Sequence, residues 1–150
     1  MRQKKPSVPL NHSRDFDELV RTVALLRSSD GCPWDQSQTH SSLRKYLLEE
    51  CYEVMECLDR GNISQLKEEL GDVLLQVLLH SQIAQEDGTF NIDDVIHSTN
   101  NKLVTRHPHV FGDLKLSSAK EVENHWEQFK KGEDGRQRKS TLEGVPREMP

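Results

Sequence analysis

Apolar residues recur three and four positions apart through most of the chain, the period of helices that bury one stripe. Asp15 precedes the first such run, where a short acidic side chain caps a helix, and Phe16, Leu19, Val20, Val23 and Leu26 follow on one face. Ser28 to Thr39 breaks the period with Gly31, Pro33 and small polar residues and reads as a loop. It contains Trp34, a side chain costly to leave in water and expected to pack on something. A second helix is predicted over 42–59, with Leu43, Leu47, Cys51, Val54, Met55 and Leu58 at helical spacing, ended by Arg60-Gly61-Asn62. A third is predicted over 63–85, and its stretch Val73 to Leu79 is apolar nearly all the way round. Such a helix is buried on more than one side, and in a chain of 150 residues a second subunit is the expected cover, so a homodimer or dimer of dimers is predicted.

A fourth helix is predicted over 92–105, with Ile92, Val95, Ile96, Thr99 and Leu103 toward the core and Pro108 stopping it. A fifth, capped by Ser117 or Ser118, carries Val122, Trp126 and Phe129. No strand pattern of useful length and no repeat is present, so the expected class is all-α, a bundle of about five helices. One domain is expected over 15–132. Residues 1–14 read as a flexible basic tail, the charged run from Lys131 to Arg136 as disordered, and 133–150 as a flexible C-terminal segment.

Charge narrows the chemistry. Charged residues make up 30% of the chain, the net charge is −5, and aromatics are 5%, which argues against nucleic acid as a partner. Cys32, Cys51 and Cys57 show neither a paired framework nor zinc spacing, and a reduced cytoplasm fits them best. The basic N-terminus runs into Pro6 and Pro9 rather than an apolar leader core, and no stretch is long enough to span a membrane.

The acidic residues of the second and third helices are spaced for a metal. Glu50 with Glu53, and Glu69 with Asp72, are three apart and share a helical face. If the chain reverses at Gly61 into an antiparallel pair, Glu53 and Glu69 stand equally far from the turn, as do Glu50 and Asp72, so four carboxylates converge. Anions so placed repel unless compensated, and hard oxygen ligands suit Mg²⁺ or Mn²⁺. The same spacing also describes an ordinary solvated face. Glu49 points roughly 100° away from Glu50 and is placed as a water-orienting base rather than a ligand. Lys102 and Arg106 sit four apart, as do Trp126 and Lys130; such cations suit a polyphosphate beside the metal, or simply a solvated surface. His107 and His109 flank Pro108, where packing or capping is a simpler role than ligation. No phosphate-binding glycine loop or nucleophile elbow occurs.

Taken in order, Gly31-Cys32-Pro33-Trp34-Asp35, Leu48-Glu49-Glu50-Cys51-Tyr52-Glu53-Val54, Glu68-Glu69-Leu70-Gly71-Asp72, Lys102-Leu103 and Arg106-His107-Pro108-His109-Val110-Phe111 resemble the MazG nucleoside triphosphate pyrophosphohydrolases. The resemblance covers most of residues 15–132. It implies Mg²⁺-dependent hydrolysis between the α- and β-phosphates, giving a nucleoside monophosphate and pyrophosphate, in a helical dimer or dimer of dimers. By motif, Glu50, Glu53, Glu69 and Asp72 match the family's metal ligands, and Lys102 with Arg106 its phosphate-contacting pair. Trp126 with Lys130 matches a later pair near the substrate, and the loop places Trp34 near the nucleotide. Many members have two such halves, and Leu142 to Arg147 resembles the segment leading onward from the first. Two alternatives accompany this reading: a nucleotide-specific dUTP or dCTP pyrophosphatase, and a non-catalytic dimerisation or regulatory half.

Overall fold

The computed structural model describes residues 13–133, with side chains described through Trp126. Seven helices run in order: α1 (Phe16–Arg27), α2 (Pro33–Ser37), α3 (His40–Arg60), α4 (Ile63–Glu86), α5 (Ile92–Arg106), α6 (Pro108–Phe111) and α7 (Ala119–Glu133). No strand forms among the described residues, and no helix there is long and apolar enough to cross a membrane. The class is all-α. The described residues divide into two compact units that part after Ile96, within α5.

The first unit is organised by the long pair α3 and α4. Gly61, at φ 64°, takes the left-handed conformation that ends α3, and its N–H bonds back to the Cys57 and Leu58 carbonyls. Asn62 at once caps α4 by accepting the Gln65 N–H. Only those two residues separate the helices, so they pack as an antiparallel hairpin. Val23 of α1, Leu43 of α3 and Leu78, Leu79 and Ile83 of α4 form the buried core, with Val20, Tyr46, Leu74, Leu75 and Ile92 against it.

The second unit holds the rest of α5, then α6 and α7. His107 ends α5 with its Nδ1 bonded to the Leu103 carbonyl at 2.6 Å, and Pro108 opens α6 at its first turn. Before α7, the Glu121 carboxylate accepts the Ser117 N–H at 2.8 Å.

Several expectations require correction. The segment 28–39 is not all loop: Pro33 starts the short helix α2. The second predicted helix begins at His40 rather than residue 42, because Thr39 and Ser42 close a reciprocal capping box. Pro108 stops α5, as expected, and also starts the short helix α6. In α3 the buried positions are Leu43 and Cys57, whereas Cys51, Met55 and Leu58 are exposed. On α5, Ile92 and Val95 are half-buried as expected, but Ile96, Thr99 and Leu103 are exposed, since helical periodicity marks a stripe without saying whether one chain can cover it. The charged run expected to be disordered from Lys131 is helical through Glu133. The tail up to residue 12 and the segment 134–150 lie outside the described residues.

Candidate metal centre

Helical spacing and one tight turn assemble the acidic cluster. Glu50, Glu69 and Asp72 each offer a carboxylate oxygen, and these atoms lie within 4.8 Å of one another. Glu69 is only 6% exposed, while Glu50 and Asp72 are half-buried. Gln65 donates to Glu69 Oε1 at 3.1 Å. Burial, then the negative charges of Asp72, Glu49 and Glu69, raise the Glu50 carboxyl above its usual range.

Glu53 stands outside that triad, exposed, one turn nearer Gly61. Its carboxyl bonds to that of Glu69, and this bond, with the charges of Glu69, Glu50 and Glu49, raises its pKa. Three hard carboxylate oxygens within 4.8 Å of one another could hold a metal ion. Glu49 is exposed beside this cluster.

Trp34 projects from α2 with 49% of its surface exposed, its ring edge-on to Tyr46 at 5.6 Å between centroids and 68° between planes. The expectation that it packs on something holds for one edge. The Lys45 ammonium lies 4.5 Å from the Tyr46 centroid on the same side chain.

Within the second unit, the Arg106 guanidinium carbon is 5.5 Å from the Trp126 ring centroid, and His107 meets that ring at 4.9 Å and 64°. Arg106 and Trp126 thus belong to one aromatic–cation group, with His107 packed against the same ring. Lys102 is exposed on α5. Lys130 is on α7, with its side chain outside the described residues.

Three features escaped the sequence reading. Arg27 bonds Glu86 across 59 positions, which no local period reports. Tyr46 supports Trp34, although its place on the α3 stripe was a usable signal. Gln76, buried one turn beyond Asp72 on α4, has an amide oxygen with no hydrogen-bond partner.

Comparison with known proteins gives a consistent result. Residues 38–111 match the family described as the MazG nucleotide pyrophosphohydrolase domain. The chain is 53% identical, over 85% of its length, to the nucleoside triphosphate pyrophosphohydrolase/pyrophosphatase MazG of Thermotoga maritima. It is 40% identical, over 90% of its length, to the nucleoside triphosphate pyrophosphohydrolase of Escherichia coli K12. It spans about half the length of these curated relatives, 48% and 52% respectively. Among solved structures it resembles a mazG-related protein from Thermotoga maritima, with a TM-score of 0.60, 31% identity, and coverage of 74% of this chain and 97% of that one.

Proposed function

This chain belongs to the MazG nucleotide pyrophosphohydrolase family, and from that premise we propose that it hydrolyses nucleoside triphosphates between the α- and β-phosphates. The observation that carries this reading is the convergence of Glu50, Glu69 and Asp72 oxygens within 4.8 Å. These three, with Glu53, would hold Mg²⁺, or Mn²⁺ in its place. A cation bound there would screen the polyphosphate and make water a better nucleophile.

The chain's own groups divide the remaining work. Glu49 orients a water and takes its proton as the oxygen attacks phosphorus. A new P–O bond forms, the α–β anhydride bond breaks, and pyrophosphate leaves from a nucleoside monophosphate. By the family resemblance, Lys102, Arg106 and Lys130 are the cations that offset charge on the phosphates. Trp34 offers an exposed indole face on which a base stacks, an interaction tolerant of base identity.

A homodimer or dimer of dimers completes the proposal. Ile63, Leu70 and Val77 repeat every seventh residue along α4, all exposed, with Leu48, Tyr52 and Met55 exposed along α3. Stripes of that kind, uncovered in one chain, suit a second copy. Cys32, Cys51 and Cys57 are all free thiols, in keeping with a reduced cytoplasm.

The test is pyrophosphate release by the purified chain with Mg²⁺ across the common ribo- and deoxyribonucleoside triphosphates, with Glu69→Gln as control. Broad release lost in the variant supports the proposal. Release from dUTP or dCTP alone would narrow it to a specialised pyrophosphatase. Nucleotide and metal binding without release would make the chain a dimerisation or regulatory half.

A further inference from the structure

The short helix α2 is too brief to hold its own position, since a single turn has little cooperative stability. Its placement comes instead from one arginine. Arg27, in the last turn of α1, has a side chain only 6% exposed. Its Nε lies 3.0 and 3.2 Å from the two Glu86 oxygens, and one Nη lies 2.7 Å from Oε2. The other Nη donates to the backbone carbonyls of Asp35, at 2.5 Å, and Gln38, at 3.2 Å. Those carbonyls lie at the C-terminal end of α2, where the helix dipole favours a cation, and the Asp35 carbonyl also accepts the Gln38 N–H at 3.2 Å.

Trp34 is tied into the same network. Gln38, itself buried, donates from Nε2 to the Trp34 carbonyl at 3.0 Å and accepts the Ser42 hydroxyl at 2.7 Å. On the other side, Gln36 Nε2 donates to the Ser28 carbonyl at 2.7 Å. A planar fork that reaches a carboxylate with one edge and two carbonyls with the other is a task for arginine, not lysine. Glu86 sits at the far end of α4, so α1, α2 and α4 meet at a single guanidinium.

We propose that Arg27, held by Glu86, is a positioning residue that sets the Trp34 indole as a stacking platform for the substrate's base. This rests on the reading of the chain as a nucleotide hydrolase. Arg27 touches neither the acidic cluster nor the base: it acts through α2. Its loss therefore weakens recognition of the nucleoside part and leaves handling of the phosphates alone.

The full chain labelled with fluorotryptophan gives separate Trp34 and Trp126 signals, assigned with Trp34→Phe. In Arg27→Lys the charge facing Glu86 remains but the fork is lost. The Trp34 signal is then expected to shift in the free protein, and affinity for a non-hydrolysable α,β-methylene nucleoside triphosphate to fall about tenfold, the scale of one stacked base. Affinity for pyrophosphate stays within about twofold, and KM rises while kcat holds. Equal losses of nucleotide and pyrophosphate binding, or no change in either, overturn the inference while the hydrolase reading stands. A wild-type chain that binds no nucleotide overturns both. If Arg27→Lys does not fold, Glu86→Gln, at a carboxylate 37% exposed, carries the same test with a smaller loss in the same direction.

Discussion

His40 Nδ1 and His80 Nδ1 lie 2.7 Å apart, with the two rings stacked at 5.0 Å and nearly parallel. One of the two nitrogens donates and the other accepts, with the roles set by the ring tautomers; a hydrogen on both would set two donors against each other and break the bond. They join the first turn of α3 to α4 at the end of the hairpin remote from Gly61. Burial, and secondarily the charge of His40, holds the His80 imidazole below its usual pKa.

That shift sets a pH dependence of stability. The unfolded chain takes up a proton on His80 near pH 6.5, before the folded chain does, so acid favours unfolding. Stability is therefore intact above about pH 6.5 and declines as the pH falls through and below it. Denaturant titrations at pH 7.5 and 5.5 should show a lower midpoint in acid, with a smaller drop in His80→Gln. An equal drop in both would remove His80 as the cause.

Adding Mg²⁺ should raise the melting temperature by satisfying the crowded carboxylates. Saturation a hundredfold over Kd is worth roughly 2.7 kcal/mol, several degrees for a domain of this size. Asp72→Asn should lose that shift yet melt no lower than wild type without metal, since it removes one repelling charge. Calorimetric scans with and without Mg²⁺ decide the matter.

Gly31 closes the connection from α1 to α2 so tightly that a Cβ there would sit 2.3 Å from the Leu25 and Leu26 carbonyl oxygens. Backbone atoms cannot step aside as a side chain can. Gly31→Ala should cost roughly 1–3 kcal/mol, the usual penalty of overpacking. Urea unfolding should show it as a lower midpoint, and a neutral result would mean the turn relaxes freely.

Leu43, fully buried between α1 and α4, should be among the most sensitive core positions. Leu43→Ala is expected to cost about 2–5 kcal/mol, as cavity-forming substitutions do. Leu70→Glu places a charge on the exposed stripe of α4 instead, and its effect should appear as a shift toward monomer in light scattering.

The cysteines should separate by reactivity. Burial pushes the Cys57 thiol up, while Cys51 is exposed one residue from Glu50. Under native conditions, alkylation followed by mass spectrometry should label Cys51 quickly and Cys57 only after unfolding.

Much of this was legible from local pattern, and the reason is geometric. The cap at Asp15, the break at Gly61 and the convergence of Glu50, Glu69 and Asp72 depend on residues near in sequence. Spacing along two helices and one turn suffices to place them. The Thr39–Ser42 box is present in the sequence too, yet periodicity alone starts α3 at residue 42 and leaves out His40 and Ser41, since helix ends blur by a residue or two. Arg27 with Glu86 could not be read, because nothing local distinguishes a buried ion pair from two solvated charges. Exposure of Ile96 and Leu103 was likewise invisible: amphipathicity names a face but not what covers it.

The Gly61–Asn62 turn also bears on the order in which the chain folds. The acidic ligands come from either side of one tight connection, so the loop that must close to gather them is among the shortest between the chain's long helices, and short loops close early and at little entropic cost. Repulsion among the carboxylates opposes that same closure. Topology accelerates the first long-helix encounter and charge retards it, so a divalent cation, or salt that screens the charges, should quicken refolding as well as secure the finished hairpin.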